Sequence, residues 1–151
     1  MAVKQSCAGF SLVELMVVMV IVALLAMAAL PFTRAWTDGS RQSDFRNQVA
    51  RSIGQAQSLA VRNPDGVAQG SAVVRLELSD GRLEVLNAHS GSTELLLVVP
   101  EGMSLLDNTG AALGCVEWDN RRTLVTDNGC TVARKAVVRM NGQTDLDVEL
   151  L

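Results

Sequence analysis

Residues 10–30 read FSLVELMVVMVIVALLAMAAL, an apolar run broken by a single carboxylate. As a helix, about 21 residues suffice to cross a hydrocarbon core of ~30 Å. Met1 to Gly9 carries one charge, Lys4, which favours a cytoplasmic start. An ordinary secretory signal has a shorter apolar core that ends at a small-residue cleavage site. Ala26 to Ala29 imitates such a site, but the run is too long and begins too early. A plain signal anchor accommodates everything except Glu14. A carboxylate within a span is costly and is usually kept for function. No basic residue lies near Glu14 in the sequence to offset it.

The residues around Glu14 are more specific than the run itself. Gly9-Phe10-Ser11-Leu12-Val13-Glu14-Leu15, followed by Pro31, resembles the type IV prepilin motif. The resemblance implies cleavage between Gly9 and Phe10 by a prepilin peptidase on the cytoplasmic side, and N-methylation of Phe10. Glu14 becomes the fifth residue of the processed chain and Pro31 the twenty-second, both positions that the family uses. The chemistry is coherent. Glycine lets a protease approach the backbone closely. An unpaired buried charge is expensive, so pairing Glu14 with the terminal amine of a neighbouring subunit rewards one stagger between helices. Met16, Val17, Val20, Ile21, Leu24 and Leu25 would pack between helices in a filament, or face lipid beforehand.

Pro31 lacks an N–H and clashes with the preceding turn, so it is expected to kink or locally melt the helix. With Gly39 nearby, Pro31 to Ser40 reads as a weakened stretch. Beyond it, Phe45, Val49, Ile53, Ala56 and Ala60 recur at helical spacing, while Arg41, Arg46, Arg51, Gln55 and Arg62 fall mostly on other faces. The arginines read as a solvated or filament-pairing face, with a nucleic-acid stripe as the alternative. Asn63-Pro64-Asp65-Gly66 ends the helix.

The rest reads as β. Expected strands are 71–78, 82–86, 93–99, 111–118, 122–126, 131–140 and 146–150, with turns at Asp80-Gly81, Asp127-Asn128-Gly129 and Asn141-Gly142. Many short strands predict one or two antiparallel sheets. The fold class is α+β: a type IV pilin-like fold with a long N-terminal helix packed on an antiparallel β head. The organisation is a leader over 1–9, a transmembrane or filament-core helix over 10–31, an amphipathic helix over 32–63 and a periplasmic head over 64–151. The expected location is the bacterial inner membrane, single-pass, and then a filament.

Cys115 and Cys130 fall in the exported part, where a disulfide is expected, on neighbouring strands or at the mouth of a loop. Cys7 stays on the other side of the cleavage site. Two cysteines without a nearby histidine are too few for a metal site. Zinc spacing and a phosphate-binding glycine loop are both missing from the sequence. His89, the single histidine, lies in the loop 87–92 and reads as a solvated turn residue. No catalytic constellation, cofactor or metal is expected, and the chain does not read as an enzyme.

Ala60-Val61-Arg62-Asn63, closing an amphipathic helix ahead of β-structure, is similar to the GspH/FimT/FimU group of minor pilins and minor pseudopilins. The likeness covers Gly9 to Pro31 best, then Gln48 to Asn63. It implies a subunit that primes or caps a type IV pilus or a type II secretion pseudopilus, with other pilins and the prepilin peptidase as partners. One branch of that group binds DNA in natural transformation through a basic C-terminal region. Arg121, Arg122, Arg134, Lys135 and Arg139 are the candidates here, but the branch's Gly-Arg-x-Arg pattern is missing and Asp145 and Asp147 oppose DNA nearby. Net charge of −3 and scarce aromatics argue the same way. The alternative function is therefore a tip module that captures DNA or a surface ligand.

Overall fold

The computed structural model describes residues 11–126, 128–130 and 132–150. One helix, α1, spans Leu12–Arg62. The chain divides into two compact units, Met1–Asp38 and Gly39–Leu151.

In the first unit α1 carries the apolar span Leu12–Ala29, none of it buried. The helix continues through the positions expected to weaken it. Pro31 to Ser40 is helical throughout, so local melting does not occur. Proline leaves only one i−4 carbonyl without its donor, and a glycine costs a helix only about 1 kcal/mol relative to alanine. Helix-forming turns on both sides carry the backbone across these two defects.

In the second unit the C-terminal part of α1 buries the expected stripe. Phe45, Val49, Ile53, Ala56 and Ala60 are all at most 3% exposed. They form one core with Val74, Leu76, Leu83, Val85, Val116 and Trp118. Asn63 stops the helix by adopting φ 42°, the left-handed conformation that asparagine tolerates. Its side chain then closes the turn: Nδ2 donates to the Val67 carbonyl at 2.9 Å and Oδ1 accepts from the Val67 N–H at 2.8 Å.

Among the described residues, eight strands make two antiparallel sheets. The first comprises β1 (Val74–Ser79), β2 (Arg82–Asn87), β3 (Thr93–Val98), β5 (Cys115–Trp118) and β6 (Leu124–Val125), in the order β3-β2-β1-β5-β6. The second is β4 (Met103–Leu106), β7 (Lys135–Met140) and β8 (Leu146–Glu149), in the order β4-β7-β8. Asp80 and Gly81 both have positive φ, 49° and 70°, which matches the tight β1–β2 hairpin.

Strand β4 has no counterpart among the expected strands. Met103-Ser104-Leu105-Leu106 is too short to show alternation, and only its register against β7 defines it. Most expected strands shrink at an end, the first of them beginning at Val74 instead of Ser71. The fourth begins at Cys115 instead of Ala111, with Ala112 making a lone bridge to Leu106. The fifth is only Leu124–Val125, and β7 begins at Lys135.

Polar side chains of α1 tie it to the smaller sheet. Gln42 Nε2 donates to the carbonyls of Val138 and Thr144, both at 3.0 Å, and is itself buried. Arg46 Nε donates to the Asp147 carbonyl at 2.9 Å, and Gln57 Nε2 to that of Leu150 at 3.1 Å. Trp118 Nε1 also donates to the Leu150 carbonyl, at 3.1 Å, so the core indole leaves no polar atom unsatisfied.

Candidate assembly site and the head

Helix α1 starts on a capped turn. The Glu14 N–H donates to Ser11 Oγ at 3.2 Å, and the Leu15 N–H to the Ser11 carbonyl at 3.2 Å. Ser11 is thus the N-cap and Glu14 the third residue in, the first half of a capping box. The carboxylate also lies in the first turn, where the helix dipole favours negative charge. Among the described residues no side-chain partner of the Glu14 carboxylate is found. The cap, rather than an ion pair, defines its local geometry. Leu12, Val13, Met16, Val17, Val20, Ile21, Leu24 and Leu25 around and beyond it are each at least half exposed. A lone subunit therefore presents a bare apolar rod headed by one carboxylate. Such a surface needs lipid or other helices around it. Gly9 and Phe10, the expected cleavage and methylation positions, lie outside the described residues, as does the side chain of Pro31.

In the head, Cys115 and Cys130 form a disulfide with Cα atoms 4.9 Å apart. Cys115 opens β5 and Cys130 lies in the segment between β6 and β7. Alternation along β5 turns Val116 and Trp118 to the core under α1, and Cys115 and Glu117 to the opposite face. Glu117 is nonetheless fully buried. Arg75, its register partner on β1, and Asn128 account for this. Arg75 Nε and Asn128 Nδ2 each donate to Glu117 Oε1 at 2.9 Å, and the Asn128 N–H donates to Oε2 at 3.3 Å. Burial opposes the charge of the Arg75 guanidinium, but the hydrogen bonds and charges of Glu117 and Glu77 outweigh it and raise its pKa. The disulfide and the Glu117–Asn128 pair thus hold the β6–β7 segment down on the outer face of the five-stranded sheet.

The basic candidates divide between the two sheets. Arg121 and Arg122 lie in the β5–β6 turn and are exposed, with Arg122 at φ 63°. Asp119 Oδ1 accepts the N–H groups of Arg121 and Thr123 at 2.9 and 2.8 Å and shapes that turn. Arg134 is exposed just before β7. Lys135 and Arg139 share the outer face of β7 and are both engaged: Lys135 Nζ is 2.7 Å from Asp147, and Arg139 grips Asp145 through Nε and Nη2. His89 stands in an exposed turn, where Asn87 Oδ1 accepts the N–H groups of His89 and Ser90.

Sequence reading missed Ser11, Arg75, Glu117 and Asn128. Ser11-Leu12-Val13-Glu14 carries its own signal, a Ser-x-x-Glu cap ahead of an apolar run. Glu117 carries none, because its partners come from 42 residues earlier and 11 later. No group of three or more potential metal-ligating side chains occurs among the described residues.

Residues 4–30 match the family model described as the prokaryotic N-terminal methylation motif. No curated protein and no solved structure matches the chain. With this motif on an apolar helix, followed by a helix and an antiparallel β head, the chain is a type IV pilin-like protein of α+β fold. Proteins carrying the motif are structural subunits that a prepilin peptidase processes and that assemble with other pilins.

Proposed function

We propose that this chain is a minor pilin or pseudopilin of the GspH/FimT/FimU kind, which primes or caps a type IV pilus or a type II secretion pseudopilus. The observation that carries this is the bare apolar rod Leu12–Ala29 headed by Glu14, within the methylation motif. The inner membrane would hold the subunit by that rod, with the head outside, until neighbouring helices replace the lipid. Cleavage after Gly9 would free an amine at Phe10. Glu14 of one subunit would pair with the amine of the next, and a wrong stagger would leave both charges unpaired in an apolar bundle. Pro31 would mark the end of the filament-core part. The head would then act as a cap or first layer, and its lack of an assigned chemistry is compatible with that role. Deleting the chain should abolish piliation or secretion, and which of the two fails separates the two machines. Mass measurement of the processed N-terminus tests the first step: an intact Met1, or a cut after Ala28, defeats the reading.

Capture of DNA is the weaker reading. Ion pairing of Lys135 and Arg139 to Asp147 and Asp145 leaves Arg121, Arg122 and Arg134 as its basis.

A further inference from the structure

Among the described residues Trp36 is the most exposed large apolar side chain, at 80%. An exposed indole needs a partner that is apolar on one side and wet on the other. Its place on the helix indicates which. Trp36 lies six residues past Leu30, where the apolar run ends, a rise of about 9 Å along a helix. The headgroup layer beyond the hydrocarbon edge is only about 5–8 Å deep. Helical side chains lean back toward the N-terminus, which brings the ring to that boundary.

The distribution of aromatics points the same way. The chain has three Phe, two Trp and no Tyr. Phe45 and Trp118 are buried in the head core. The other three flank the apolar run: Phe10 at its start, Phe32 and Trp36 after its end. None falls between Ser11 and Pro31. Phe32 precedes Trp36 by four residues in the sequence. Arg34 and Asp38 each lie two residues from Trp36 in the sequence. Aromatics at both ends of an apolar span, with charges beside the outer ones, are the pattern of a membrane-interface belt.

We propose that Trp36 anchors the unassembled subunit in the phospholipid headgroup layer at the outer end of its span, and so sets the depth of the helix. This rests on the membrane-anchored reading of the apolar span. Glu14 lies about 33 Å from Trp36 along the helix. With Trp36 in the outer headgroups, that length puts Glu14 just inside the opposite hydrocarbon edge. The carboxylate then waits within reach of the cytoplasmic interface instead of at the bilayer centre, where burial costs most.

Two tryptophans make the test direct, because Trp118 is fully buried in the head and serves as the internal reference. The full-length chain and its Trp36→Phe variant are incorporated into phosphatidylcholine vesicles whose lipids carry bromine either near the glycerol end or near the methyl end of the acyl chain. The difference between the two emission spectra belongs to Trp36. Expected is a blue-shifted Trp36 emission that is lost on shallow bromines and largely kept on deep ones. Emission at the wavelength of water-exposed indole, unquenched by either lipid, overturns the proposal. Stronger quenching by the deep bromines overturns it too, because the span would then sit at another depth. Failure of the chain to float with vesicles at all defeats the membrane-anchored reading itself, and that outcome is separate from a floating chain with unquenched Trp36.

Discussion

Arg75 Nη2 and Nε both stand 2.9 Å from Oε1 of Glu117, a carboxylate with no exposed side-chain surface. Arg75 keeps about a quarter of its own surface in water. Removing the arginine strands a buried charge, whereas removing both partners does not. Arg75→Met should therefore destabilise the head by about 2–3 kcal/mol, below the ~3–5 kcal/mol of a fully buried pair because water screens Arg75. Arg75→Met combined with Glu117→Leu should recover much of that loss. Urea unfolding of the full chain in detergent checks this, and a double variant no better than the single one would contradict it.

The disulfide closes a loop of 15 residues. Chain entropy assigns such a loop roughly 3 kcal/mol. Reduction, or Cys115→Ser with Cys130→Ser, should lower the melting temperature and raise amide exchange in residues 126–133. Exchange there should rise further in Glu117→Gln, which weakens the second tether through Asn128. Unchanged exchange on reduction would mean that the Glu117 contacts hold the segment alone.

Glu14→Gln keeps the shape of the first turn but removes the charge. If Glu14 pairs with a neighbouring subunit's terminal amine as proposed, the variant should insert and be processed normally, then fail to enter filaments. Co-purification with sheared filaments measures this. Ser11→Ala is the complementary change: loss of the N-cap costs about 1 kcal/mol and frays the first turn, so incorporation should fall without being lost.

Acid should loosen the outer face of the small sheet. The hydrogen bond from Arg139 holds the Asp145 carboxyl below its ordinary value of 3.8, against a smaller opposing effect of burial, and the Arg139 charge adds to it. A depressed folded-state value gives stabilisation that is present above the unfolded value and is lost as pH falls through the folded one. The Asp145 contribution is therefore intact above about pH 5 and fades below 3.8. Asp145→Asn should flatten that part of the stability–pH curve. The effect is small, because both groups are exposed and solvent screens them. Carboxyl NMR titration of Asp145 gives the direct reading, and a midpoint at or above its ordinary value would contradict the pairing.

If the head does hold DNA, binding should weaken with added salt and fall on Arg121→Ala with Arg122→Ala, since these two exposed cations stand together on one turn. Lys135→Ala should matter less, because that ammonium already pairs with Asp147. Electrophoretic mobility shifts at graded salt would measure both, and absence of binding at low salt would remove the reading.

Legibility followed the range of the interaction. The buried stripe from Phe45 to Ala60, the Asn63 stop and the Asp80-Gly81 hairpin are local patterns, and the sequence displays them directly. Strand β4 was invisible because four residues between Gly102 and Asp107 carry no period of their own. Pro31 to Ser40 stays helical, contrary to the expected local melting, since proline and glycine lower helix propensity without forbidding helix. At the candidate site, Glu14 stood out as a charge in the wrong solvent. Ser11 is readable from its Ser-x-x-Glu spacing to Glu14.

The sequence by itself determined the membrane-length helix, its motif, the amphipathic continuation and the β character of the head. Each depends on composition or on a short period. Only the tertiary structure decided that the strands divide into two sheets, that Cys115 and Glu117 share one face of β5, and that Arg75 and Asn128 cover Glu117. It also decided that Lys135 and Arg139 are spoken for by Asp147 and Asp145. Those facts depend on which strands become neighbours, and pairing across 42 residues is set by packing of the whole core rather than by any local pattern.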